Sequence, residues 1–595
     1  MDALVSQMNP TEPTETWLQA FEAAVTAGDI DAAAALFPTD GHWRDVLAFT
    51  WKIETFNGRG EIESMLDRRL ATVRPRNFHL PEHRTPPRVV NRAGRDCIEA
   101  IVGFDTATGK ADGILRLVPD PDRPGKSKAW ILATALDEIR GHEELIGERR
   151  PGGQEYARQY GADNWLDLRQ KSRKYEDREP AVLIVGAGQA GLTVAARLTV
   201  LGVDTLMVDR FARVGDNWRH RYHSLTLHNE VWVNDLPYMP FPPNWPVYIP
   251  KDKLANWFEA YAEAMELNVW TSTEMVSGSY DEAEGVWTVT LRNVEDGSER
   301  VVKPRHVIYA TGVSAIPIMP NLPGMADFRG KIMHSGAYQT GKEWAGKKAI
   351  VVGTGTSGHD VAQELTTCGA EVTLLQRSPT HVVSLKQAQR VYSAYYEGPP
   401  VADNDLLATA SPYPVLVKSF QQVTKSMLEE DKDLLTALEG AGFRLDHAGG
   451  EDKTGFQMMY LRHGGGYYFN VGASDMIIDG RIKLVHYDDM ETFVPEGMKM
   501  KDGSVVEADL LVTATGYKNL QDTVRMFMGD EIADRAGPVW GYGDGQELRN
   551  MWQRTPQPGL WFTAGSLAQC RIYSKYLALQ IKACEVGLLE REQER

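Results

Sequence analysis

The sequence has few cysteines, and their spacing excludes two kinds of cysteine site. It contains four, Cys97, Cys368, Cys570 and Cys584. None of them forms a Cys-x-x-Cys pair, so the pattern indicates neither a zinc ribbon nor a redox dithiol. Enzymes that pass electrons through a cysteine pair are therefore excluded.

Long apolar runs and an excess of basic residues are also lacking. No run of about 18 apolar residues occurs, and residues 1–7 lack the basic-then-apolar pattern of a signal peptide. Acidic side chains outnumber basic ones by 81 to 64, for a net charge of −17. Such a surface repels phosphate backbones and anionic lipids. We therefore expect a cytoplasmic protein that binds neither nucleic acid nor membranes.

The chain is long enough for several domains. It has 595 residues, whereas a single hydrophobic core rarely grows beyond roughly 300 residues. Hydrophobic residues make up 43% and charged residues 24%, which is ordinary for folded proteins and predicts no disorder.

Residues 1–140 are predicted to form a small domain of their own. Large apolar residues recur at helical spacing in three segments, residues 15–27, 31–37 and 61–70. Strand-like runs follow at residues 97–104, 112–118 and 129–136. Helices followed by a meander of strands indicate an α+β domain.

Two residues of this domain are candidates for chemistry. His42 and Asp45, in the segment Asp40-Gly-His-Trp-Arg-Asp45, could form an acid/base pair. A structural role at a helix–strand corner is the favoured alternative. Residues 141–179 are polar and charged, and we interpret them as a linker with helical stretches.

A first dinucleotide-binding site begins at residue 181. The apolar run 181–185 is typical of a strand buried on both faces. Gly186, Gly188 and Gly191 follow in the Gly-x-Gly-x-x-Gly pattern, which makes a tight turn and lets the backbone approach a pyrophosphate at a helix N-terminus. Asp209, eighteen residues past Gly191, has the position of a carboxylate that binds an adenosine ribose. This position in the chain is the usual one for FAD.

Further cofactor contacts are predicted next to this loop. Arg210 follows the acid directly, and Trp218 lies in the segment after it. Residues 215–229 resemble the segment that runs along the flavin in flavin-containing monooxygenases, and this resemblance implies that Asn229 or Asn234 makes the polar contact near the flavin ring. The alternative for either asparagine is a structural role in a turn.

A second glycine-rich loop repeats the pattern with a different ending. It follows the apolar strand 349–352 and contains Gly353, Gly355, Ser357 and Gly358. The next strand ends in Arg377 and Ser378, where the first site has an acid. A guanidinium here could pair with a 2′-phosphate, which favours NADPH. The alternative is a surface arginine without this role.

Three short corners predict how the chain is divided. Thr311 and Gly312 follow one buried strand, and Gly516 belongs to a similar Ala-Thr-Gly corner. Gly565 stands between a last strand and a helix. These corners resemble the crossings between the FAD and nicotinamide domains of flavoproteins with two dinucleotide sites. The resemblance implies that the chain leaves the FAD domain and returns to it, with the boundaries 180–325 for its first part, 326–508 for the NAD(P)H domain with a helical or lid region, and 509–595 for its second part. Residues 464–470 are the candidate lid.

The segment between the two loops carries a family resemblance. Phe328-x-Gly330-x-x-x-His334-x-x-x-Tyr338 resembles the fingerprint of flavin-containing monooxygenases. Type I Baeyer–Villiger enzymes have Trp where this chain has Tyr338. Residues 180–595 carry the likeness, and the N-terminal domain resembles the SnoaL-like, nuclear-transport-factor-like cone fold. Together they are most similar to type II flavin-containing monooxygenases.

The resemblance implies a fold and a reaction. The expected fold is α/β, with two Rossmann-type domains for FAD and NADP and an N-terminal α+β cone-like domain. The expected reaction uses FAD, NADPH (NADH is an alternative donor) and O2, and inserts one oxygen atom through a flavin 4a-(hydro)peroxide into ketones or soft nitrogen and sulfur atoms. His334, Asn229 and Tyr338 are the implied site residues, with an organising or purely structural role for His334.

Two alternatives stay open at this point. An NAD(P)H oxidase or reductase would use the same cofactors without oxygenating a substrate. The N-terminal domain could be a separate binding or oligomerisation module. The expected partners are a small-molecule substrate and O2, and a homodimer is a possible assembly.

Overall fold

The computed structural model describes residues 9–152 and 160–591. The N-terminal part has three helices, α1 (Thr11–Ala27), α2 (Ile30–Ala35) and α3 (Arg59–Val73). Its strands are β1 (His42–Val46), β2 (Ile53–Asn57), β3 (Arg76–His79), β4 (Arg88–Arg92), β5 (Arg95–Asp105), β6 (Gly109–Pro119) and β7 (Ser127–Ile139). They form one sheet in the order β2-β1-β7-β6-β5-β3, with β4 also paired to β5.

Aromatic side chains fill the space between the three helices and this sheet. Trp17 stacks on Phe21, Phe37 stacks on Trp43, and Phe78 and Phe104 stack at 4.8 Å between ring centroids. Rings of this size bury a large apolar area each. The interior of the N-terminal part is therefore a packed core.

The predicted linker contains one helix, α4 (Trp165–Lys174). Asn164 and Asp167 form a capping box at its start, which satisfies two helix-end N–H groups. The Trp165 indole donates to Glu266 at 3.1 Å and thereby ties α4 to the following part. The predicted linker residues 153–159 lie outside the described part of the chain.

A parallel sheet follows, built from residues before and after the middle of the chain. It joins β12 (Asn268–Trp270), β9 (Thr205–Val208), β8 (Val182–Val185), β16 (His306–Tyr309) and β27 (Leu560–Phe562) in that order, and every pairing is parallel. The elements up to β16 are β8 (Val182–Val185), α5 (Gln189–Val200), β9 (Thr205–Val208), α6 (Asp216–Arg219), β10 (Thr226–Glu230), β11 (Tyr248–Pro250), α7 (Lys251–Ala264), β12 (Asn268–Trp270), β13 (Thr273–Asp281), β14 (Val286–Asn293), β15 (Glu299–Val302) and β16 (His306–Tyr309).

A second parallel sheet joins β17 (Lys331–His334), β26 (Leu510–Thr513), β18 (Lys348–Val352), β19 (Glu371–Gln376) and β22 (Ile482–His486) in that order. Its region contains β17 (Lys331–His334), β18 (Lys348–Val352), α8 (Thr356–Thr367), β19 (Glu371–Gln376), β20 (His381–Ser384), α9 (Leu385–Ala388), α10 (Val401–Thr409), α11 (Tyr413–Glu430), α12 (Lys432–Gly440), α13 (Gly455–His463), β21 (Tyr467–Asn470), α14 (Ala473–Ile478), β22 (Ile482–His486), β23 (Met490–Val494), β24 (Gly497–Met500), β25 (Val505–Glu507) and β26 (Leu510–Thr513). The chain then returns through α15 (Leu520–Met528), α16 (Asp530–Ala536), β27 (Leu560–Phe562) and α17 (Leu567–Glu585). The predicted α/β fold class is confirmed.

The candidate lid differs from its prediction in one respect. Residues 467–470 form β21, which pairs in parallel with β20. Aromatic packing holds this strand in place, because Tyr468 is fully buried and its ring stacks on His359 at 3.9 Å between centroids. This stretch is a packed strand instead of a flexible loop.

The N-terminal sheet packs with one face against the rest of the molecule. Apolar residues of β1, β5, β6 and β7 share a core with α10 and α17. Ion pairs cross the same boundary, from Arg84 to Asp403 at 2.9 Å and from Lys575 to Asp137. In the described part of the chain, no helix combines the length and hydropathy needed to cross a bilayer.

Candidate functional site

The first glycine-rich loop has the geometry of a phosphate cradle. Gly186 has φ 109°, and a Cβ there would lie 2.6 Å from the Ala310 carbonyl oxygen. A Cβ on Gly191 would lie 2.0 Å from the Gly186 carbonyl oxygen. Both positions therefore require glycine. Gly188 precedes α5, whose N-terminus has no side-chain cap, so its N–H groups face outward without a partner side chain.

Asp209 lies at the end of β9 and supports this loop. Its carboxylate accepts hydrogen bonds from the Ala187 N–H at 2.8 Å and the Phe211 N–H at 3.0 Å. Burial raises the pKa of this carboxyl, and the two N–H groups oppose that shift. Arg210 is exposed and lies 5.0 Å above the Phe211 ring.

A chain of contacts joins this cradle to the last strand and helix. The Trp218 indole donates to Gln189 Oε1 at 3.2 Å, and the Gln189 amide donates to the Gly565 carbonyl at 3.3 Å. Asn217 Oδ1 and Thr311 Oγ1, buried beside the loop, have no hydrogen-bond partner among the described residues. Because buried polar atoms are normally paired, these two atoms and the uncapped helix fit a bound dinucleotide.

The second loop repeats this geometry. Gly353 has φ 105°, and a Cβ there would lie 2.6 Å from the Ala514 carbonyl oxygen. A Cβ on Gly358 would lie 2.0 Å from the Gly353 carbonyl oxygen. Gly355 precedes α8, which also lacks a side-chain cap. The residues present therefore fit a second dinucleotide.

The predicted 2′-phosphate contacts lie at the open edge of the second cradle. Arg377 and Ser378 directly follow β19, and both are exposed. No carboxylate in the described part of the chain pairs with Arg377. Its guanidinium is therefore available to an anion.

A cavity of about 950 Å³ connects the two cradles. From the first cradle it is lined by Gln189, Trp218 and Gly565, and from the second by Thr356 and Ser357. Its other walls combine polar and charged side chains, such as Arg92, Arg116 and Arg390, with many aromatic ones, among them Tyr392, Phe456, Tyr460, Tyr467, Phe469, Tyr542, Trp552 and Tyr573. We call this cavity the chamber.

The structure distinguishes the two candidate asparagines. Asn234 is buried, and its amide donates to the carbonyls of Asn229 and Glu230 at 3.1 Å each. That amide holds a turn. Asn229 lines the chamber from the end of β10 and is only partly buried. Both asparagines belong to the chamber lining, but the amide of Asn234 is used within the turn, so Asn229 is the better placed of the two to contact a ligand.

His334 lies outside the chamber lining and is held on both sides of its ring. Nε2 lies 3.1 Å from the Gly516 carbonyl, to which it donates, and Nδ1 accepts from the Gly336 N–H at 3.0 Å. Burial lowers the pKa of His334, and the Gly516 carbonyl counteracts this. A neutral ring with both nitrogens engaged ties β17 to the corner at Gly516, where φ is 86°. Gly312 at the first corner has φ 81°.

Tyr338 is also placed away from the chamber. Its side chain is 1% exposed and packs in the core around α8. Burial, together with the Glu364 carboxylate, raises the pKa of the phenol. Tyr338 and His334 therefore support the second cradle from outside the chamber, whereas Asn229 lines the chamber.

The N-terminal part contributes a residue that sequence reasoning passed over. Asp45 accepts hydrogen bonds from Phe49 N–H, Thr50 N–H and Thr134 Oγ1, and is fully buried. It is a structural acceptor, and His42 contacts Asn57 at 2.8 Å. Arg44, between them, lines the chamber. The sequence could have indicated this role for Arg44, because successive side chains of a strand lie on opposite faces, so Arg44 lies on the face of β1 opposite to Asp45.

His359 makes the second cradle sensitive to acid. Its ring is buried, Nδ1 lies 3.2 Å from the Gly355 carbonyl, and Nε2 has no partner among the described residues. Burial therefore lowers the pKa of His359 to about 4. Protonation would bury an unpaired charge in the folded state.

We predict a stability loss at low pH from this residue. Because the folded pKa is depressed, the contribution is present above the ordinary histidine pKa and is lost as pH falls from about 6.5 towards 4, by up to roughly 3 kcal/mol. Urea unfolding between pH 7 and pH 4 would measure it. His359→Phe keeps an aromatic ring on Tyr468 and should flatten the pH dependence, and an unchanged slope would contradict the prediction.

Comparisons with known proteins agree with these two cradles. The model of the family described as flavin-binding monooxygenase-like matches residues 179–397. Indole-3-pyruvate monooxygenase YUCCA1 of Oryza sativa subsp. japonica is 31% identical over 378 residues, covering 62% of this chain and 85% of that protein. Probable indole-3-pyruvate monooxygenase YUCCA4 of Arabidopsis thaliana is 30% identical over 343 residues, covering 57% and 76%.

Solved structures share the fold. Cyclohexanone monooxygenase bound to cyclohexanone matches with a TM-score of 0.51 at 17% identity, covering 69% of this chain and 87% of that one. A mutant cyclohexanone monooxygenase from Rhodococcus sp. Phi1 bound to NADP+ matches with a TM-score of 0.50 at 15% identity, covering 69% and 86%.

These matches decide the family. The predictions of an enzyme, and of FAD and NADPH as its cofactors, are confirmed at the level of the family. The N-terminal residues lie outside the matched range of the family model, so their SnoaL-like resemblance stays a prediction. The chain belongs to the flavin-binding monooxygenase-like family and is a flavin-dependent monooxygenase.

Proposed function

We propose that this enzyme oxygenates a small carbonyl compound in the chamber, with FAD in the first cradle and NADPH in the second. The observation that carries the proposal is the chamber itself. It is lined by residues of both cradles, by many aromatic side chains and by several polar and charged ones. Concave sites of this size that combine aromatic walls with polar groups able to orient a ligand are typical for small-molecule substrates.

The names of the relatives support a carbonyl substrate. Two are named for indole-3-pyruvate, a 2-oxo acid, and a structural neighbour contains cyclohexanone. All three names refer to a compound with a keto group. Oxygenation of soft nitrogen or sulfur atoms is the second candidate, and uncoupled oxidation of NADPH is the third.

The chain's own residues would bind and orient the reactants. When bound, reduced FAD supplies the electrons that activate O2, and NADPH renews them. The uncapped N-termini of α5 and α8 would bind the two pyrophosphates. Asn229 would offer its amide to a polar group in the chamber, while the aromatic wall would exclude water.

His334 and Tyr338 receive supporting roles in this proposal. His334, neutral and bonded at both ring nitrogens, would hold the corner at Gly516 beside the second cradle. Tyr338 would stabilise α8 by packing in the hydrophobic core against it. Asp209 would bind the FAD ribose, and Arg377 with Ser378 the NADPH 2′-phosphate.

The same proposal divides the chain into functional units. Residues 180–325 and 509–595 would form the FAD-binding domain, and residues 326–508 the NADPH-binding domain. Residues 1–140 would be a SnoaL-like domain joined by the linker 141–179. The sheet orders support a return of the chain to the FAD-binding domain, because β8 and β27 share one sheet although they lie far apart in the chain. The boundary at residue 508 needs correction, because β26 (Leu510–Thr513) pairs with β17 and β18 in the second sheet, which favours a boundary after Thr513. A homodimer stays a prediction.

Product analysis tests the proposal. The holoenzyme would be given NADPH and O2 with cyclohexanone, indole-3-pyruvate or methyl phenyl sulfide, and NADPH consumption, H2O2 and products would be measured. We expect oxygenated product from at least one carbonyl compound, with H2O2 well below the NADPH consumed. Sulfoxide as the sole product would favour the second candidate. Equal H2O2 and NADPH with every compound would favour the third.

A further inference from the structure

Residues 540–552, between α16 and β27, have an unusual backbone. Four of them other than glycine have positive φ: Trp540 at 73°, Gln546 at 60°, Asn550 at 55° and Trp552 at 58°. Such conformations are uncommon outside glycine and persist where surrounding contacts enforce them. We call residues 540–552 the strained segment.

At Gln546 and Glu547 the strained segment is held by the N-terminal sheet, whereas Trp540 and Asn550 bond to carbonyls elsewhere in the chain. Arg44 of β1 donates to both carboxylate oxygens of Glu547, at 2.7 Å each, and also bonds the Thr409 carbonyl. Thr55 of β2 donates to Glu547 at 2.9 Å, and Asn57 donates to Gln546 at 3.2 Å. The ion pair is nearly enclosed, with side-chain exposures of 8% and 14%.

The strained segment is also a wall of the chamber. Six of its residues line the cavity: Tyr542, Gln546, Glu547, Leu548, Met551 and Trp552. The Trp552 ring stacks on Tyr573 of α17 at 4.4 Å, and Tyr573 lines the chamber as well. The position of this wall therefore depends on what holds the segment.

We propose that Arg44 is a positioning residue that clamps the strained segment and thereby sets the size of substrate that the chamber admits. A bidentate guanidinium–carboxylate pair fixes both distance and orientation. The proposal rests on the proposed function only for the kind of substrate. The contact between Arg44 and Glu547 does not depend on a substrate, so it can be tested on the holoenzyme without one.

Arg44 differs from the other ion pairs at this boundary. Arg84 bonds Asp403 of α10 and holds the N-terminal sheet in place, but neither residue lines the chamber or contacts the strained segment. Loss of Arg84 would weaken docking of the whole sheet, whereas loss of Arg44 would release one wall. Arg84 thus provides a matched control.

Hydrogen–deuterium exchange tests the clamp without turnover. In the FAD-loaded enzyme, Arg44→Met should speed amide exchange in residues 540–552 by about ten-fold, because local opening becomes easier. Arg44→Lys keeps the positive charge but cannot form the bidentate pair, so its exchange rate should lie between those of the parent and of Arg44→Met. Arg84→Met should leave exchange in this segment within about two-fold of the parent.

If Arg44→Met does not fold, Thr55→Val removes one bond to Glu547 and should still raise exchange there by about three-fold. Unchanged exchange in the Arg44 variants, or an equal rise in Arg84→Met, would overturn the clamp.

Substrate size provides the second readout. For cyclohexanone and cyclododecanone, the ratio of kcat/KM should shift by about ten-fold towards the larger ketone in Arg44→Met, with the KM for NADPH unchanged. A shifted exchange rate with an unshifted ratio would overturn the size-setting role. If the parent oxygenates neither ketone, the ratio is taken on methyl phenyl and methyl 2-naphthyl sulfide, and the proposed function is decided by the product analysis described above. In either case, hydrogen–deuterium exchange in residues 540–552 tests whether Arg44 clamps the strained segment.

Discussion

Gly355→Val is expected to yield an enzyme that keeps its flavin but no longer uses NADPH well. Gly355 has φ −78° and ψ −175°, which any residue adopts, and a Cβ there would meet only the Tyr467 carbonyl at 3.8 Å. The fold should therefore tolerate the change. The new side chain would stand where the pyrophosphate approaches α8. Losing about two charge-assisted hydrogen bonds would raise the KM for NADPH roughly 100-fold.

Gly188→Val is the corresponding change in the first cradle. Its Cβ would meet the end of the Asn217 side chain at 2.9 Å, which can move. We expect this variant to be purified with little flavin, measured as visible absorbance per chain. Gly60→Val, placed in open space in the N-terminal part, controls for general effects. Flavin lost from the Gly355 variant and retained by the Gly188 variant would reverse the assignment of the cradles.

Arg377→Ala is expected to change the choice of nicotinamide cofactor. Arg377 is exposed at the end of β19, where the first cradle has Asp209. A charge-assisted pair with the 2′-phosphate contributes about 1.5–3 kcal/mol, so the KM for NADPH should rise roughly 10- to 100-fold. The KM for NADH, which lacks this phosphate, should stay nearly constant.

Arg210→Ala is the matched control for this prediction. Arg210 is the second residue after β9, is likewise exposed, and lies beside Phe211 in the first cradle. Steady-state kinetics with both cofactors would compare the two variants. Equal rises in the KM for NADPH and for NADH in Arg377→Ala would remove Arg377 from the 2′-phosphate site.

The sequence by itself determined both cradles, because their constraints are local. Positive φ at Gly186 and Gly353, and the close approach of Gly191 and Gly358 to the preceding turn, follow from a strand, a tight loop and a helix within about ten residues. Strands of a parallel sheet are buried on both faces, so their own residues form continuous apolar runs that can be recognised locally. The two dinucleotide sites could therefore be predicted without coordinates.

Only the tertiary structure decided which side chains meet in the chamber. Arg44 and Glu547 are 503 positions apart, and no periodicity connects residues across that distance. Asn229 and Asn234 are equivalent candidates in the sequence and both line the cavity, yet only the amide of Asn234 is used in a turn. Tyr338 belongs to a family fingerprint, but core packing around α8 removes it from the chamber. Local patterns specify backbone geometry, whereas contacts between distant segments depend on how whole sheets and helices pack.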